Sequence, residues 1–296
     1  MTNSLPENRS IPVTVLVAAR NEAVNIERCL AALAPAARVV LLDSGSSDGT
    51  DTLAAAAGAE VVQFVPQGSY PKKRQWALDR LTFATPWILL IDADEQVPES
   101  LWCEIAAVTN RTDGPNAYFI RKGFHFLGHR FRFGGFSFDA ILLFRVGTAR
   151  FEHLVEDDPS GMDMEIHERL IVEGPTGCLS TPLVHDDFKR LDAYIDKHNR
   201  YSTWEAHLRD RYLGTGLWGV SSVQPRLFGN AQERRRFLKF LALRVPFEPT
   251  LWFVYHYVLR GGFLEGIPGY IAARIRAAYI AAVRAKVYEL RRGART

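Results

Sequence analysis

The sequence contains little cysteine and no long hydrophobic run, and both absences narrow the class of protein. Its 296 residues include only three cysteines, whose odd number and irregular spacing argue against a disulfide framework and against a zinc site. We therefore expect a reducing compartment. No run of about eighteen uncharged apolar residues occurs, so a membrane-spanning helix is not predicted. The first ten residues are polar and lack the apolar core of a signal peptide.

Charge is distributed unevenly along the chain, although the formal net charge is only +3. From Gln232 to the end there are 13 Lys and Arg residues against 4 Asp and Glu residues, whereas the preceding part of the chain is acidic. Basic side chains in this tail alternate with aromatic and aliphatic ones, which favours helices that lie on an anionic membrane surface. The alternative is a helical subdomain with solvated arginines. Nucleic-acid binding is not predicted, because most of the chain is acidic and no nucleic-acid-binding motif occurs.

Apolar strands alternate with helical segments over the first hundred residues. Strands are predicted at 11–19, 39–42, 61–65 and 87–91, with short amphipathic helices between them. This alternation is typical of βαβ units, in which helices cover both faces of a mostly parallel sheet. The predicted fold class is therefore α/β and Rossmann-like, with a helical extension toward the C-terminus.

Polar clusters follow three of these strands, at residues 20–22, 43–48 and 92–95. In a parallel sheet the three clusters converge on one edge, where α/β proteins bind ligands. Asp92 and Asp94 project to the same side of an extended chain, and two such carboxylates suit Mg²⁺ or Mn²⁺ that also holds a diphosphate. Asp43 can accept a hydrogen bond from a nucleobase or a ribose hydroxyl. Turn formation explains each cluster singly, but the three together favour a binding site.

These motifs resemble those of the family 2 glycosyltransferases, which are inverting nucleotide-sugar enzymes of GT-A fold. The resemblance rests on Ala-Arg-Asn-Glu after the first strand, Asp-Ser-Gly-Ser-Ser-Asp-Gly-Thr after the second and Ile-Asp-Ala-Asp-Glu after the fourth. It is strongest to the lipopolysaccharide-core β-glucosyltransferase subgroup, which acts on membrane-embedded acceptors. Further matching motifs reach nearly the end of the chain: Gly-Gly-Phe at 134–136, Leu-Phe-Arg at 143–145, Pro-Leu-Val-His at 182–185, Asn-Arg-Tyr-Ser-Thr at 199–203 and Arg-Gly-Gly-Phe-Leu-Glu-Gly at 260–266.

The resemblance implies a domain organisation. We expect a GT-A catalytic domain at 11–187, with a nucleotide-sugar half at about 11–97 and an acceptor half at about 115–187. The remainder, 188–296, is expected to be a helical, basic and amphipathic extension on the membrane surface.

The resemblance also implies roles for single residues. The nucleotide pocket is expected to contain Ala18, Arg20, Glu22 and Asp43. Asp92 and Asp94 correspond to the DxD pair, which binds the ribose and a metal-bound diphosphate, and His185 occupies the place of a third metal ligand. In the family a basic residue is followed by an amide residue ahead of the DxD pair, and the matching residues here are Arg74 and Gln75. The residues before them, Pro71-Lys72-Lys73, replace the glycine-rich segment that is usual in the family. Which of Lys72, Lys73 and Arg74 reaches the phosphates therefore stays open.

The second half of the chain is expected to carry the acceptor side. Gly134 and Gly135 are adjacent glycines that allow backbone to approach a sugar or phosphate closely. An inverting transfer needs a carboxylate base for the acceptor hydroxyl. Asp139 and Glu168 are equally ranked candidates, and Glu165 is a weaker third.

The predicted function is metal-dependent, inverting transfer of a sugar from a nucleotide-diphosphate sugar, with a UDP-sugar as the default donor. The acceptor is expected to be a lipid-linked glycan of lipopolysaccharide or another cell-envelope polysaccharide. The predicted location is cytoplasmic and peripheral, on the inner face of the bacterial cytoplasmic membrane. Two alternatives remain: a catalytically inactive, membrane-associated sugar-binding or scaffold protein, and a sugar nucleotidyltransferase.

Overall fold

The computed structural model describes residues 10–66, 70–154, 168–185, 191–220 and 222–293. The chain divides into two compact units. Among the described residues, the first unit consists of 10–125, 138–151 and 170–185, and the second of 126–137, 152–154, 168–169 and 191–293. The predicted boundary near residue 187 lies close to the start of the last segment of the second unit. Three short segments from the middle of the chain, 126–137, 152–154 and 168–169, also belong to that unit.

The first unit contains nearly all of the strands and four short helices. The strands are β1 (Ile11–Ala19), β2 (Ala36–Asp43), β3 (Glu60–Gln63), β4 (Trp87–Asp92), β5 (Glu95–Gln96), β6 (Ala117–Phe126), β8 (Phe138–Arg145), β9 (Ala149–Phe151), β10 (Leu170–Val172), β11 (Thr176–Cys178) and β12 (Leu183–His185). The helices are α1 (Ile26–Ala31), α2 (Thr50–Ala56), α3 (Lys73–Arg80) and α4 (Glu99–Thr109).

The main sheet has the strand order β3-β2-β1-β4-β8-β6-β12-β5. Strands β3, β2, β1 and β4 run parallel, as the alternation of strands and helices predicts. Strand β8 then runs antiparallel to both β4 and β6, so the sheet is mixed. Short-range patterns show which segments are strands, but they do not show the direction in which a distant strand joins the sheet.

The centre of this sheet is the apolar core of the first unit. All five residues of β4 from Trp87 to Ile91 are buried, as are Val15 to Val17 in β1 and Val40 to Leu42 in β2. Such continuous apolar runs are typical of strands that are covered on both faces. The well-packed strands make the polar residues at their ends rigid.

The second unit is mainly helical. It contains the short strand β7 (His129–Arg130) and the helices α5 (Leu191–Thr215), α6 (Ala231–Leu243), α7 (Glu248–Phe253) and α8 (Gly266–Gly293). A π-helical segment, Val254–Leu259, and a 3₁₀ turn, Gly262–Glu265, connect α7 with α8. Asn230 and Glu233 form a capping box that begins α6. No helix in the described part of the chain combines the length and the hydrophobicity needed to cross a bilayer.

Buried ion pairs join α5 to α7 and join α6 to Glu152, the residue that follows β9. Arg209 of α5 contacts Glu205 at 2.9 Å and Glu248 of α7 at 2.9 Å. Arg236 of α6 contacts Glu152 at 2.6 Å, with both side chains almost fully buried. A buried charge without its partner is strongly unfavourable, so these pairs restrict how the helices can pack.

Candidate active site

Three polar clusters meet at one edge of the parallel sheet. The pairing of β1 with β2 places Ala19 beside Asp43, and the pairing of β1 with β4 places Ala18 beside Asp92. The segments after β1, β2 and β4 therefore leave the sheet side by side. This register confirms that the three strand ends converge, as expected for the ligand-binding edge of an α/β sheet.

The loops after β1 and β2 are joined by hydrogen bonds. The backbone N–H groups of Asn21 and Glu22 donate to the hydroxyl oxygens of Ser46 and Thr50 at 2.9 and 2.8 Å. In return, Asn21 Oδ1 accepts a bond from the Ser47 backbone N–H at 2.9 Å. Asn21 adopts a positive φ of 55°, which asparagine tolerates better than most residues. These bonds fix the rim around Arg20, which is exposed, and Glu22, which is half-buried.

Asp43 lies at the end of β2, next to these two loops, and is fully buried. Its carboxylate accepts hydrogen bonds from the backbone N–H of Ser46, at 3.0 Å, and from the Ser46 hydroxyl. The turn 43–46 therefore orients the Asp43 carboxylate at the end of β2. Ala18, one residue before the end of β1, is half-buried and pairs with Leu42 on one side and Asp92 on the other.

The carboxylate of Asp92 lies between two cations. Lys122 Nζ of β6 is 2.7 Å from Asp92 Oδ2, and the Arg74 guanidinium of α3 contacts Asp92 Oδ1. The same lysine nitrogen lies 2.7 Å from Glu95 Oε1, while Glu95 Oε2 accepts a hydrogen bond from the Asp92 backbone N–H at 2.9 Å. Two carboxylates and two cations therefore form one compact cluster at the end of β4.

Electrostatics within this cluster keep both carboxylates ionised. Burial alone would raise the pKa of Asp92, but the charges of Lys122 and Arg74 outweigh it and hold that pKa well below its usual range. Burial opposes the charge on Lys122 as well, and the carboxylates of Asp92 and Glu95 raise the pKa of that amine. Each group therefore depends on the others for its charged state.

Asp94 and His185 form the second part of the cluster. His185 Nδ1, at the end of β12, lies 3.6 Å from Asp94 Oδ1 and 3.4 Å from Glu95 Oε1. Burial opposes protonation of His185, but these two carboxylates raise its pKa to about 9. Strand β12 pairs antiparallel with β5, with His185 opposite Glu95, and this pairing brings the histidine to the acidic end of β4.

Asp94 Oδ1 and His185 Nδ1 are close enough to share a divalent cation once His185 loses its proton. Their separation of 3.6 Å leaves room for one ion at about 2.1 Å from each donor, the distance typical of Mg²⁺. Both carboxylate oxygens of Asp92 instead contact Arg74 and Lys122. Within the described ranges, no group of three or more His, Cys, Asp or Glu side chains is arranged as a ready metal site.

The basic start of α3 also points into this region. Lys73 is buried and its Nζ donates to the carbonyl oxygen of Ala19 at 3.2 Å, while Arg74 contacts Asp92. Lys72 immediately precedes the helix as its N-cap. Gln75 accepts a hydrogen bond from the Phe151 backbone N–H at 2.8 Å, which anchors α3 against β9.

The candidate bases lie in different units. Asp139 is in the first unit, where its Oδ1 contacts Arg121 Nε at 2.9 Å on the neighbouring strand. Because successive side chains alternate along β6, Arg121 and Asp139 lie on the sheet face opposite Lys122. Glu168 belongs to the second unit and is buried. Glu165 lies outside the described residues.

Gly134 and Gly135 belong to the second unit, and both adopt positive φ, 77° and 68°. The His256 ring contacts the Gly134 carbonyl oxygen at 2.6 Å through Nδ1, and the Gly134 N–H donates to the Arg260 carbonyl oxygen at 2.9 Å. A Cβ atom on Gly135 would lie 3.2 Å from the Arg260 guanidinium. Glycine is therefore required for the conformation of this turn and for the close approach of Arg260.

Lys122 is a site residue that the sequence does not reveal, whereas Glu95 belongs to the predicted polar cluster 92–95 without a predicted role of its own. The position of Glu95 after Asp-Ala-Asp is typical of the start of a loop, although the residue is fully buried and binds the Asp92 backbone. Lys122 lies in a strand whose preceding residues, 117–120, are all buried and apolar. A lysine so close to buried apolar residues is the one local indication that its charge is paired with a buried acidic residue.

Comparison with known proteins agrees with this geometry. The family "Glycosyl transferase family 2" matches residues 14–135. Over 290 residues the chain is 26% identical to the lipopolysaccharide core biosynthesis glycosyltransferase LpsC of Rhizobium meliloti (strain 1021), covering 94% of this chain and 93% of LpsC.

Two solved structures are also similar. A mannosyltransferase of Pyrobaculum calidifontis, PcManGT, in complex with GDP-Man and Mn²⁺, is 16% identical, covers 96% of this chain and 89% of its own, and has a TM-score of 0.49. Glucosyl-3-phosphoglycerate synthase of Mycobacterium tuberculosis, in complex with Mn²⁺, UDP and glucosyl-3-phosphoglycerate, is 25% identical. It covers 41% of this chain and 46% of its own, with a TM-score of 0.31.

The mixed, mostly parallel sheet agrees with the GT-A fold class expected from the sequence. Residues 14–135 match the family 2 glycosyltransferases, and this match together with the similarity to LpsC supports glycosyltransferase activity. The resemblance of the chain to the lipopolysaccharide-core enzymes, inferred from the sequence motifs, is confirmed by the similarity to LpsC along almost the whole chain.

The geometry predicts that Lys122 is essential for the stability of the first unit. Lys122→Met leaves the buried carboxylates of Asp92 and Glu95 without their shared cation, and we expect a loss of about 3–5 kcal/mol in the free energy of unfolding. Urea denaturation followed by tryptophan fluorescence measures this change.

Arg121→Met is the matched control, because Arg121 is the neighbouring residue and its ion pair with Asp139 is largely exposed. Its expected cost is below about 1 kcal/mol. Equal effects of the two substitutions would contradict the assigned role of Lys122.

Proposed function

We propose that the protein transfers a sugar, with inversion and with the help of a divalent metal ion, from a nucleotide-diphosphate sugar to a lipid-linked glycan acceptor. The observation that carries the proposal is the cluster of Asp92, Asp94, Glu95 and His185 with two cations at the converging strand ends. The name of the relative LpsC supports an acceptor in lipopolysaccharide core synthesis. Another cell-envelope polysaccharide would present the same chemistry.

Donor binding is assigned to the edge formed by β1, β2 and β4. The buried Asp43 carboxylate accepts a hydrogen bond from the base, and the rim residues Ala18, Arg20 and Glu22 surround the nucleoside. Lys73 and Arg74 provide positive charge for the diphosphate, and Gly134 and Gly135 are proposed to bind the donor through their backbone. The default donor is a UDP-sugar.

Asp94 and His185 are the residues that fit a metal ion, and Asp92 is proposed to take part in the same site. When bound, Mg²⁺ or Mn²⁺ neutralises charge that develops on the leaving diphosphate. Lys122 and Arg74 hold the Asp92 carboxylate in a fixed orientation before substrate arrives. A site that is already oriented requires little reorganisation during the reaction.

The transfer is proposed to be a direct displacement. The acceptor hydroxyl oxygen forms a bond to the anomeric carbon while the bond to the diphosphate oxygen breaks on the opposite side, which inverts the configuration. The proton of the hydroxyl passes to a carboxylate base, for which Asp139 and Glu168 are the candidates. The enzyme is proposed to work peripherally at the inner face of the cytoplasmic membrane, where its basic C-terminal helices contact an anionic surface.

The metal assignment predicts the behaviour of Asp94→Asn. We expect a nucleotide sugar to raise the melting temperature of the wild-type protein in the presence of Mn²⁺ or Mg²⁺ and not in the presence of EDTA. Asp94→Asn removes a charged metal ligand, so its affinity for the donor in the presence of metal should fall at least about tenfold.

A thermal-shift titration over a panel of nucleotide sugars measures this effect. Asp113→Asn, an exposed aspartate whose side chain is 83% accessible, is the control and should behave as the wild type. Donor binding that is unchanged by EDTA and by Asp94→Asn would exclude metal dependence.

The base assignment predicts a second outcome. Of Asp139→Asn and Glu168→Gln, one should lower kcat for transfer by about 10²–10⁴-fold, because proton removal from the acceptor is lost. The same variant should keep its affinity for the donor. Transfer of labelled sugar to a membrane extract that contains the acceptor measures kcat, and retention of full transfer by both variants would show that neither carboxylate is the base.

A further inference from the structure

The connection between α7 and α8 exposes an unusual number of apolar side chains. Leu259 and Ile267 are 72% and 77% exposed, values that are high for large aliphatic residues. Seven further residues of the same segment are also exposed: Leu251, Val254, Tyr255, Val258, Phe263, Leu264 and Tyr270. We call these nine side chains the Leu251–Tyr270 surface.

Ring contacts join the four elements that carry these side chains. Tyr257, in the π-helical segment, stacks on Phe253 of α7 with ring centroids 5.1 Å apart. The same ring contacts Phe263 of the 3₁₀ turn at 6.5 Å and Tyr270 of α8 at 5.8 Å. A single aromatic cluster therefore joins all four elements. Many exposed apolar side chains on adjoining elements mark an interaction site.

The exposed charged residues in this part of the chain are all positively charged. Between residues 244 and 276 the acidic residues are Glu248 and Glu265, and both are buried. Glu248 contacts Arg209 and Arg284, and Glu265 contacts the His129 ring. The exposed charged residues of the segment are all arginines: Arg244, Arg260, Arg274 and Arg276.

Hydrogen bonds to residues 129–134 hold the backbone of this segment in place. The carboxylate of Glu265 accepts hydrogen bonds from the backbone N–H groups of Arg132, at 2.6 Å, and Phe133, and it contacts His129 Nε2 at 2.6 Å. His256, stacked on Trp252 at 3.9 Å, contacts the Gly134 carbonyl oxygen. The apolar side chains are thus presented by an ordered backbone, which lowers the entropic cost of binding.

We propose that the Leu251–Tyr270 surface docks onto the headgroup region of an anionic lipid bilayer. Exposed aliphatic and aromatic side chains on a segment whose exposed charges are all arginines fit the acyl–headgroup boundary, whose anionic lipids attract the arginines. A second copy of the chain fits less well, because the exposed arginines of the two copies would repel each other. This inference rests on the proposed function, since a lipid-linked acceptor lies at such a surface, and it identifies the part of the protein that makes the contact.

Sedimentation with sucrose-loaded vesicles tests the proposal. The full chain should bind vesicles of phosphatidylethanolamine with phosphatidylglycerol and cardiolipin, bind phosphatidylcholine vesicles much more weakly, and dissociate from the anionic vesicles as salt is raised. Leu259→Ser combined with Ile267→Ser should weaken binding at least about tenfold. Leu217→Ser, which changes a leucine of similar exposure (65%) elsewhere in the second unit, should have little effect.

The exposed arginines are tested by their own matched pair of variants. Arg274→Glu should weaken binding to anionic vesicles about fivefold or more, since it replaces an attraction with a repulsion. Arg111→Glu makes the same change in net charge in the first unit, at a side chain that is 62% exposed, and should have a smaller effect. Equal binding of all variants, or of anionic and neutral vesicles by the wild type, would overturn the proposal. A dimer of the wild type that Leu259→Ser disrupts, without vesicle binding, would assign the surface to a second copy instead.

Donor binding separates this proposal from the proposed function. The thermal shift caused by nucleotide sugar and metal, measured without lipid, should be the same for the Leu259→Ser, Ile267→Ser double variant and the wild type, which also shows that the variant is folded. Donor binding without vesicle binding would refute the docking surface alone. Vesicle binding without any donor response would refute the transferase and leave the docking surface standing.

Discussion

The candidate active site depends on the pairing of the Asp92 carboxylate with Lys122 and Arg74. Carboxylates at the end of a buried strand are unfavourable unless cations or hydrogen bonds compensate their charge. Here Lys122 reaches from β6 to both Asp92 and Glu95, and Arg74 reaches from α3. The cluster therefore connects the parallel strands of the sheet with β6. Asp94 Oδ1 and His185 Nδ1 lie 3.6 Å apart beside it.

Local patterns in the sequence are sufficient to predict the first half of the sheet. Each of the parallel strands is a continuous apolar run, and each of three runs ends in a polar cluster whose members need no distant partner to be recognised. The convergence of these ends follows from the parallel topology alone. For this reason the sequence identifies Asp43, Asp92 and Asp94 as candidates, and the observed register places the strand ends of Asp43 and Asp92 on either side of β1.

The partners of those residues could not be predicted, because they depend on strand order. Lys122 is 30 positions from Asp92, and the two strands are separated by β8, which inserts antiparallel between them. His185 reaches the acidic cluster only through the pairing of β12 with β5. In the second unit, helical periodicity indicates apolar faces, but it does not show that the interruption between α7 and α8 leaves one of them exposed. These contacts are set by tertiary packing.

The most direct test of the proposed metal site is whether a manganese ion binds between Asp94 and His185. Pulsed electron paramagnetic resonance of Mn²⁺ bound to the wild-type protein with a nucleoside diphosphate detects nitrogen coupling from a ligating histidine. We predict a coupling that changes when the histidines are labelled with ¹⁵N and that disappears in His185→Gln. Bound Mn²⁺ without histidine coupling, or with the same coupling in His185→Gln, would contradict the assignment of His185 as a metal ligand.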